Sequence, residues 1–207
     1  MDIEGKIVVV TGAASGIGKA LSEAYASKGA KQVVCSAANG EGAAATAKVV
    51  GGTAITTDVS DDAQVDALVD RVEAEIGPID IFWSNAGVAR GGGMEVDTAG
   101  WQKVWEINVM SHVWASRKLV PLMTERGGGY LLNTASAAGL LNQIGSATYG
   151  VTKHAAVGLA EWLAISHGDQ GIKVSVLCPQ AVRTELTRGH EDHDAAVEGM
   201  LEVEPVA

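Results

Sequence analysis

The chain has 207 residues, of which 47% are hydrophobic but only 4% aromatic, and its formal net charge is −10. This acidic balance argues against a nucleic-acid-binding surface, which needs a basic patch. No apolar run reaches the ~18–20 residues that span a bilayer. The length fits a single domain whose core is built mainly from Ala, Val, Leu and Ile.

The first residues of the chain and its two cysteines bear on the cellular compartment in which the protein is found. The first residues, "MDIEGKIVVV", carry acids where a signal peptide has basic residues, and they enter a strand at once. Cys35 and Cys178 each lie at the end of an apolar run, which favours buried free thiols. We therefore predict a soluble protein of the cytoplasm, with neither a nucleic-acid nor a membrane partner.

Short β-branched runs alternate with longer windows of helical periodicity along the whole chain. Strands that are apolar throughout are typical of a parallel sheet covered on both faces, and helical crossovers join such strands with right-handed topology. We therefore predict an α/β fold with one doubly wound parallel sheet and helices on both faces. The predicted strands span 6–11, 32–36, 53–57, 80–84, 130–135 and 173–178.

The turn between the first strand and the first helix reads "TGAASGIG" and contains Gly12, Gly16 and Gly18. Glycine lets the backbone approach a ligand closely, and a helix N-terminus offers free N–H groups to a phosphate. The spacing differs from the general dinucleotide pattern G-x-G-x-x-G, and such a turn can also be purely structural. Its place after the first strand favours a ligand site, because doubly wound sheets bind ligands at that edge.

One helical window contains Tyr149 and, one turn later, Lys153. Residues i and i+4 lie on one helix face, and the free side chains titrate near pH ~10 and ~10.4. A positive charge beside a phenol favours the phenolate, so the pair predicts a lowered Tyr149 pKa. Taken alone, the same spacing also occurs by coincidence on exposed helices.

Five features taken together resemble the short-chain dehydrogenase/reductase family. They are "TGAASGIG", "NAG" at 85–87, Asn108, Ser136 and "YGVTK" at 149–153, and they follow one another in the family's order. The resemblance covers the chain from about Lys6 to Thr184. It implies a Rossmann-type sheet and an NAD(P)-dependent oxidoreductase that moves a hydride between a nicotinamide cofactor and a secondary alcohol or ketone.

The resemblance assigns roles to four side chains. It implies that Tyr149 exchanges a proton with the substrate oxygen and that Ser136 positions that oxygen. Lys153 tunes Tyr149 and holds the nicotinamide ribose. Asn108 supports a water that reaches the lysine; its alternative interpretation is an ordinary polar helix residue.

The resemblance also implies cofactor contacts at the ends of the strands. The glycine turn wraps the diphosphate, the residues after the third strand hold the adenine, and the segment after the sixth strand meets the nicotinamide. Gln180 replaces the family's glycine there, and its side chain either narrows the pocket or points to solvent. The implied cofactor-binding residues are Gly12, Ser15, Gly16, Ile17, Gly18, Ser36, Asp58, Val59, Asn85, Ala86, Gly87, Tyr149, Lys153, Pro179, Val182 and Thr184.

The choice between NAD and NADP depends on the end of the second strand, where NAD enzymes usually carry an acid for the ribose 2′-OH. Here the stretch contains Ser36 and Ala37. No carboxylate repels a 2′-phosphate, and no arginine pairs with one. Because a small neutral Ser36 leaves room for a phosphate, we favour NADP over NAD.

"HEDHD" at 190–194 has a metal-like composition, but histidines three apart need a shared helix face and a further ligand. We predict no metal site and an acidic, solvated flap over the substrate. Trp101, Trp105 and Trp114 lie on one predicted helix and Trp162 on another. We interpret them as core or subunit-interface residues rather than a ligand wall, and the resemblance implies a homodimer or homotetramer.

The chain divides into a dinucleotide-binding catalytic domain at 1–186 and an acidic flap and tail at 187–207. Related proteins continue with a further helix and a seventh strand, and an uncovered parallel edge invites unwanted pairing. We therefore expect that the sequence lacks the final strand.

The apolar stretch "AAGLL" follows Ser136 directly, so we expect a mainly apolar substrate. Two alternatives remain open from the sequence. One is a regulatory protein that binds NAD(P) without turnover, and the other is an epimerase or dehydratase that keeps its cofactor.

Overall fold

The computed structural model describes residues 2–187, 200–203 and 206. Six parallel strands form one sheet with the order β3-β2-β1-β4-β5-β6. The predicted α/β fold class is therefore confirmed, and each predicted strand is present. The strands are β1 (Ile7–Thr11), β2 (Gln32–Ala37), β3 (Thr53–Thr56), β4 (Ile81–Ser84), β5 (Gly129–Thr134) and β6 (Ile172–Leu177).

Helices cover both faces of the sheet, because alternate residues of each strand contribute to two separate buried clusters. One cluster joins Val9, Val34 and Leu131 to apolar residues of the third, fifth and seventh helices. The other joins Val8 and Cys35 to the first and second helices. The helices are α1 (Gly16–Ser27), α2 (Gly40–Val50), α3 (Asp62–Glu75), α4 (Thr98–Trp105), α5 (Ser111–Glu125), α6 (Ala138–Leu141) and α7 (Ala147–His167).

A π-helix at Glu106–Met110 joins α4 to α5, where the sequence predicts one regular helix. The wider turn changes the hydrogen bonding at its end: the Ser111 N–H donates to the Glu106 carbonyl. The Ser111 hydroxyl donates to the Ile107 carbonyl at 2.6 Å, which satisfies that group. Single π turns of this kind occur mostly at functional sites, and this one contains the fully buried Asn108.

The four tryptophans of these helices differ in exposure. Trp114 packs against the core cluster that includes Val9, whereas Trp105 is 36% and Trp162 59% exposed. Trp101 is half-buried. The interpretation as a core residue therefore holds for Trp114. Trp162 is exposed on the surface of the protein, where a partner subunit could contact it.

After β6 the chain is described to Thr187 and again at 200–203, where Leu201 pairs with Val182 in an isolated bridge. "HEDHD" lies outside the described residues. Within the described ranges, no group of His, Cys, Asp and Glu side chains is placed to hold a metal ion, and no helix is long and apolar enough to cross a bilayer.

Replacing Leu119 with alanine tests the core between the sheet and α5. Leu119 is 0% exposed, so Leu119→Ala leaves a cavity and lowers the free energy of unfolding by about 2–5 kcal/mol. Leu141→Ala is the control, because Leu141 is 83% exposed and its truncation costs less than about 0.5 kcal/mol. Urea denaturation of both variants measures the difference, and equal losses would contradict the packing described.

Candidate active site at the carboxyl edge of the sheet

The glycine turn lies directly against the segment after β4. A Cβ at Gly12 would lie 2.9 Å from Ala86 Cα, and a Cβ at Gly18 would overlap the Gly12 carbonyl. Gly12 and Gly16 also have φ values of +67° and +51°, which favour glycine. A Cβ at Gly16 would lie 3.1 Å from Thr184 Cγ2, so the segment after β6 reaches the same turn. These glycines are therefore required by the packing of the turn itself.

The N-terminus of α1 differs from those of its neighbours in having no side-chain cap. Ser15 makes no capping hydrogen bond, and the first turn of α1 contains no acid. By contrast, Asn39, Asp61 and Asp97 each accept backbone N–H groups at the starts of α2, α3 and α4. Free N–H groups and the helix dipole favour an anion, so this end of α1 fits the diphosphate of a dinucleotide cofactor.

A polar network fixes the ends of β1, β4 and β5 relative to one another. Asn85 Nδ2 donates to the Thr11 carbonyl at 3.0 Å, and Thr134 Oγ1 donates to Asn85 Oδ1 at 3.0 Å. Thr11 Oγ1 accepts the Asn85 N–H at 2.9 Å, and Thr134 Oγ1 accepts Trp83 Nε1–H at 2.9 Å. Neither Thr11 nor Thr134 was predicted from the sequence. Thr11 ends an otherwise apolar strand, whereas Thr134 follows Asn133 at the end of β5.

Lys153 lies on the same face of α7 as Tyr149, and its side chain contacts the polar network at Thr134. Its ammonium Nζ lies 5.6 Å from the centre of the Tyr149 ring and donates to the Thr134 carbonyl at 2.9 Å. The side chain is 3% exposed. Burial lowers the pKa of Lys153 to about 8, against an opposing influence of the Cys178 thiol.

The expected lowering of the Tyr149 pKa is wrong for the protein alone. Burial raises the pKa of Tyr149, and the hydrogen bond with Ser136 lowers it by less. The ammonium lies over the Tyr149 ring, 5.6 Å from its centre, which is a cation–π arrangement. The predicted grouping of Ser136, Tyr149 and Lys153 is nevertheless present. Ser136 is held by its own helix turn, since its Oγ accepts the Ala138 N–H at 3.1 Å.

Asn108 fastens the segment after β4 to α7. Its Nδ2 donates to the Val88 carbonyl at 2.9 Å and to Thr152 Oγ1 at 3.1 Å, and its Oδ1 accepts the Val88 N–H at 2.9 Å. A Cβ at Gly87 would lie 3.3 Å from Lys153 Nζ and 3.4 Å from Asn108 Oδ1. Asn108 therefore borders the lysine for which the resemblance implied a supporting role, and Gly87, which was expected at the adenosine ribose, borders it too.

The remaining predicted residues lie farther from this cluster or are already engaged. Ser36 is fully buried, so it does not offer room for a phosphate, and its hydroxyl has no partner among the described residues. Val59 packs in the core. Asp58 Oδ1 accepts the Ser60 hydroxyl at 2.7 Å. Gln180 is exposed, which favours a side chain that points to solvent over one that narrows the pocket.

The two ends of the loop after β6 are held differently. The Pro179 carbonyl accepts the Ala137 N–H at 2.8 Å, which ties this loop to the turn that carries Ser136. Val182 is 4% exposed, and its carbonyl accepts the Thr187 hydroxyl at 2.8 Å.

The remaining predicted cofactor residue, Ile17 of α1, is half-buried and packs against the cluster that includes Val8.

Comparison with known proteins identifies the family. Residues 6–195 match the short chain dehydrogenase family. The chain belongs to this family. It is 38% identical over 198 residues to D-threitol dehydrogenase of Mycolicibacterium smegmatis, covering 93% of this chain and 75% of that protein.

Solved structures agree with this assignment. A 3-ketoacyl-(acyl-carrier-protein) reductase from Brucella melitensis, complexed with NADH, superposes with a TM-score of 0.91 at 31% identity, covering 98% of this chain and 87% of that one. A chain from Beutenbergia cavernae that holds NADP superposes with a TM-score of 0.89 at 27% identity, covering 99% and 88%. This short-chain dehydrogenase is therefore an NAD(P)-dependent oxidoreductase that interconverts alcohols and ketones.

His112, a polar residue on the apolar face of α5, was not predicted from the sequence to matter. His112 is 0% exposed, and neither ring nitrogen has a hydrogen-bond partner among the described residues. Burial, assisted by the positive charge of Lys153, lowers the pKa of His112 to about 3. The imidazole is therefore neutral at physiological pH.

This histidine makes the protein sensitive to acid. As the pH falls, an unfolded His112 binds a proton near its ordinary pKa of 6.5, whereas the folded residue does so only near pH 3. The stability that depends on neutral His112 is fully present above pH 6.5 and is lost as the pH falls towards 3, at up to ~1.4 kcal/mol per pH unit.

We expect His112→Gln to make the fall in unfolding free energy between these pH values measurably shallower in urea titrations. His167→Gln, on the outer end of α7, serves as the control. An unchanged slope in His112→Gln would contradict the assignment.

Proposed function

We propose that Tyr149 is the acid/base of this oxidoreductase, that Ser136 positions the substrate oxygen, and that Lys153 and Asn108 support the tyrosine. The observation that carries the proposal is the grouping of three side chains: the Ser136 hydroxyl acts on the pKa of Tyr149, and the buried Lys153 ammonium lies 5.6 Å from the centre of the Tyr149 ring. A hydroxyl pair of this kind can hold one oxygen atom from two sides. The bound cofactor supplies the hydride acceptor or donor.

The protonation of Tyr149 follows from its surroundings. Burial favours the neutral phenol, which is the form that donates a proton to a carbonyl oxygen during reduction. Oxidation of an alcohol requires the phenolate instead, and added positive charge near the ring favours it. Lys153 supplies one such charge from inside the protein, where burial makes its effect larger than in water.

Tyr149→Phe removes the proton-exchanging hydroxyl and keeps the ring. We expect turnover to fall by about 10²–10⁴-fold, the range for loss of general acid–base catalysis. The control is Tyr130→Phe, whose hydroxyl lies 2.6 Å from Ser175 Oγ near the start of β5. Reduced-nicotinamide absorbance with a panel of ketones measures turnover. A Tyr149→Phe variant with more than about a tenth of wild-type turnover would refute the assignment.

The residues around the cleft favour a mainly apolar substrate. Leu140 and Leu141 follow Ser136 and are 60% and 83% exposed, and Met94, in the segment after β4, is 80% exposed. The Gly92 N–H donates to the Gly145 carbonyl at 2.8 Å, so these two segments adjoin. D-threitol, named for one relative, is by contrast a polar polyol. An anionic sugar as best substrate would contradict this part of the proposal.

We also propose a preference for NADP over NAD. The two positions between β2 and α2, Ala38 and Asn39, are exposed and uncharged, so neither of them opposes a 2′-phosphate; the next acid, Glu41, lies in the first turn of α2. Ala37, immediately before them, is the position we choose for a test because it ends the strand.

Introducing a carboxylate at this position should reverse the preference. In Ala37→Asp the acid repels a 2′-phosphate and hydrogen-bonds a free 2′-hydroxyl, so we expect kcat/KM for NADP relative to NAD to fall by at least about tenfold. Ala37→Asn is the matched control, since it has the same shape without the charge. A wild-type enzyme that prefers NAD by about tenfold would overturn the proposal.

The exposed face of α7 supports a homodimer or homotetramer. Val151, Trp162 and Ile165 are 46%, 59% and 85% exposed and lie along one side of the helix. An apolar stripe with a large aromatic residue is typical of a subunit interface.

Two further proposals rest on the sequence alone. One is a cytoplasmic location, and the other is the division into a catalytic domain at 1–186 and a flap and tail at 187–207.

Trp162→Glu tests this interface. A charge at its centre should shift the protein to monomers, which size-exclusion chromatography with light scattering detects. Val49→Glu on α2, where Val49 is 68% exposed, should leave the oligomer intact. An unchanged mass for Trp162→Glu would exclude this face as the interface.

A further inference from the structure

Two buried polar side chains beneath the site have no partner within the part of the chain that the structure describes. They are His112, with both ring nitrogens unpaired, and Asn133, whose Nδ2 is unpaired. Their exposures are 0% and 1%. Buried polar atoms in native proteins are almost always paired with protein or ordered water, because an unpaired one costs free energy. Neither residue takes part in the function proposed above.

Both side chains point into the same layer of the molecule. Ala115 and Leu119, three and seven residues after His112, lie in the core cluster with Leu131, so His112 faces that cluster too. Asn133 is two residues after Leu131 on β5, and alternate strand residues lie on one face. The two unpaired groups therefore share the layer between the sheet and α5.

Lys153 borders this layer. Its charge acts on His112, and its Nζ donates to the carbonyl of Thr134, the residue after Asn133. An ammonium has three donors, and this bond uses one of them. The other titratable groups near Lys153 are the Tyr149 ring and the Cys178 thiol. Asn108, which lies about one helical turn before the buried His112, adjoins the lysine: a Cβ at Gly87 would lie 3.3 Å from Lys153 Nζ and 3.4 Å from Asn108 Oδ1. Neutral His112 has one acceptor nitrogen and one donor nitrogen.

We propose that His112 and Asn133 together hold one internal water molecule, and that this water accepts a hydrogen bond from Lys153. Each of the three bonds to this water pairs one donor with one acceptor. The water accepts from Asn133 Nδ2 and from Lys153 Nζ, and it donates to the unprotonated nitrogen of His112. Buried waters typically make about three such bonds. His112 is thus a positioning residue that stabilises the Lys153 ammonium, and its importance for turnover rests on the proposed function of Lys153.

Titration of the Lys153 ammonium in the cofactor-free protein tests this site. Lysine labelled with carbon-13 at Cε reports each side chain by NMR, and Lys153→Met identifies the resonance. A hydrogen bond to the charged form raises a lysine pKa, so its loss in His112→Leu should lower the Lys153 midpoint by about 0.5–1 pH unit from its value near 8. His112→Gln, which keeps a donor and an acceptor, should restore most of the shift.

Asn133→Ala provides a second test that does not depend on the folding of His112→Leu. It should move the Lys153 midpoint in the same direction, and the double variant should move it less than the two single effects added together. Ser116→Ala, one turn along α5 from His112, is the control and should leave it unchanged. Unchanged Lys153 titration in His112→Leu and Asn133→Ala would overturn the proposal. Because no turnover is measured, this result is independent of whether Tyr149→Phe is inactive.

Discussion

The hydrogen bond from the Lys153 ammonium to the Thr134 carbonyl joins α7 to the end of β5, and the geometry of the site depends on it. Thr134 is joined through its own hydroxyl to Asn85 and Trp83. Ser136 follows Thr134 by two residues, and Tyr149 precedes Lys153 by one helical turn, so this bond fixes the two hydroxyls relative to each other. A buried charge is expensive, and such perturbed groups in clefts are typical of functional sites.

Burial also decides the protonation state at the centre of the site. It lowers the pKa of Lys153 and raises that of Tyr149, so each side chain resists its charged form. The lysine still carries its proton at neutral pH because its pKa of about 8 lies above it. The Tyr149 phenol is therefore neutral unless a further positive charge is bound close to its ring. If Tyr149 has the proposed role, burial favours its acid form, and the positive charge of an oxidised nicotinamide would favour its base form.

Patterns of sequence predicted the fold well because periodicity is a local property. Apolar runs located all six strands, and the spacing from Tyr149 to Lys153 placed both residues on one face of α7. Properties that depend on tertiary packing were not predictable in this way. The direction of the Tyr149 pKa shift depends on burial, Ser36 proved to be enclosed by its neighbours, and the π-helix around Asn108 has no sequence period of its own. His112 had a weak signal as a polar residue on an apolar helix face.

The most direct test of this account is the phenolate absorbance of Tyr149, measured in the near ultraviolet as the difference between wild type and Tyr149→Phe during a pH titration. In the cofactor-free protein we predict a midpoint for the Tyr149 phenolate above pH 10, the ordinary pKa of the side chain. With saturating oxidised cofactor, the same signal should appear at lower pH. A midpoint below pH 10 without cofactor would contradict the claim that burial outweighs the lysine charge.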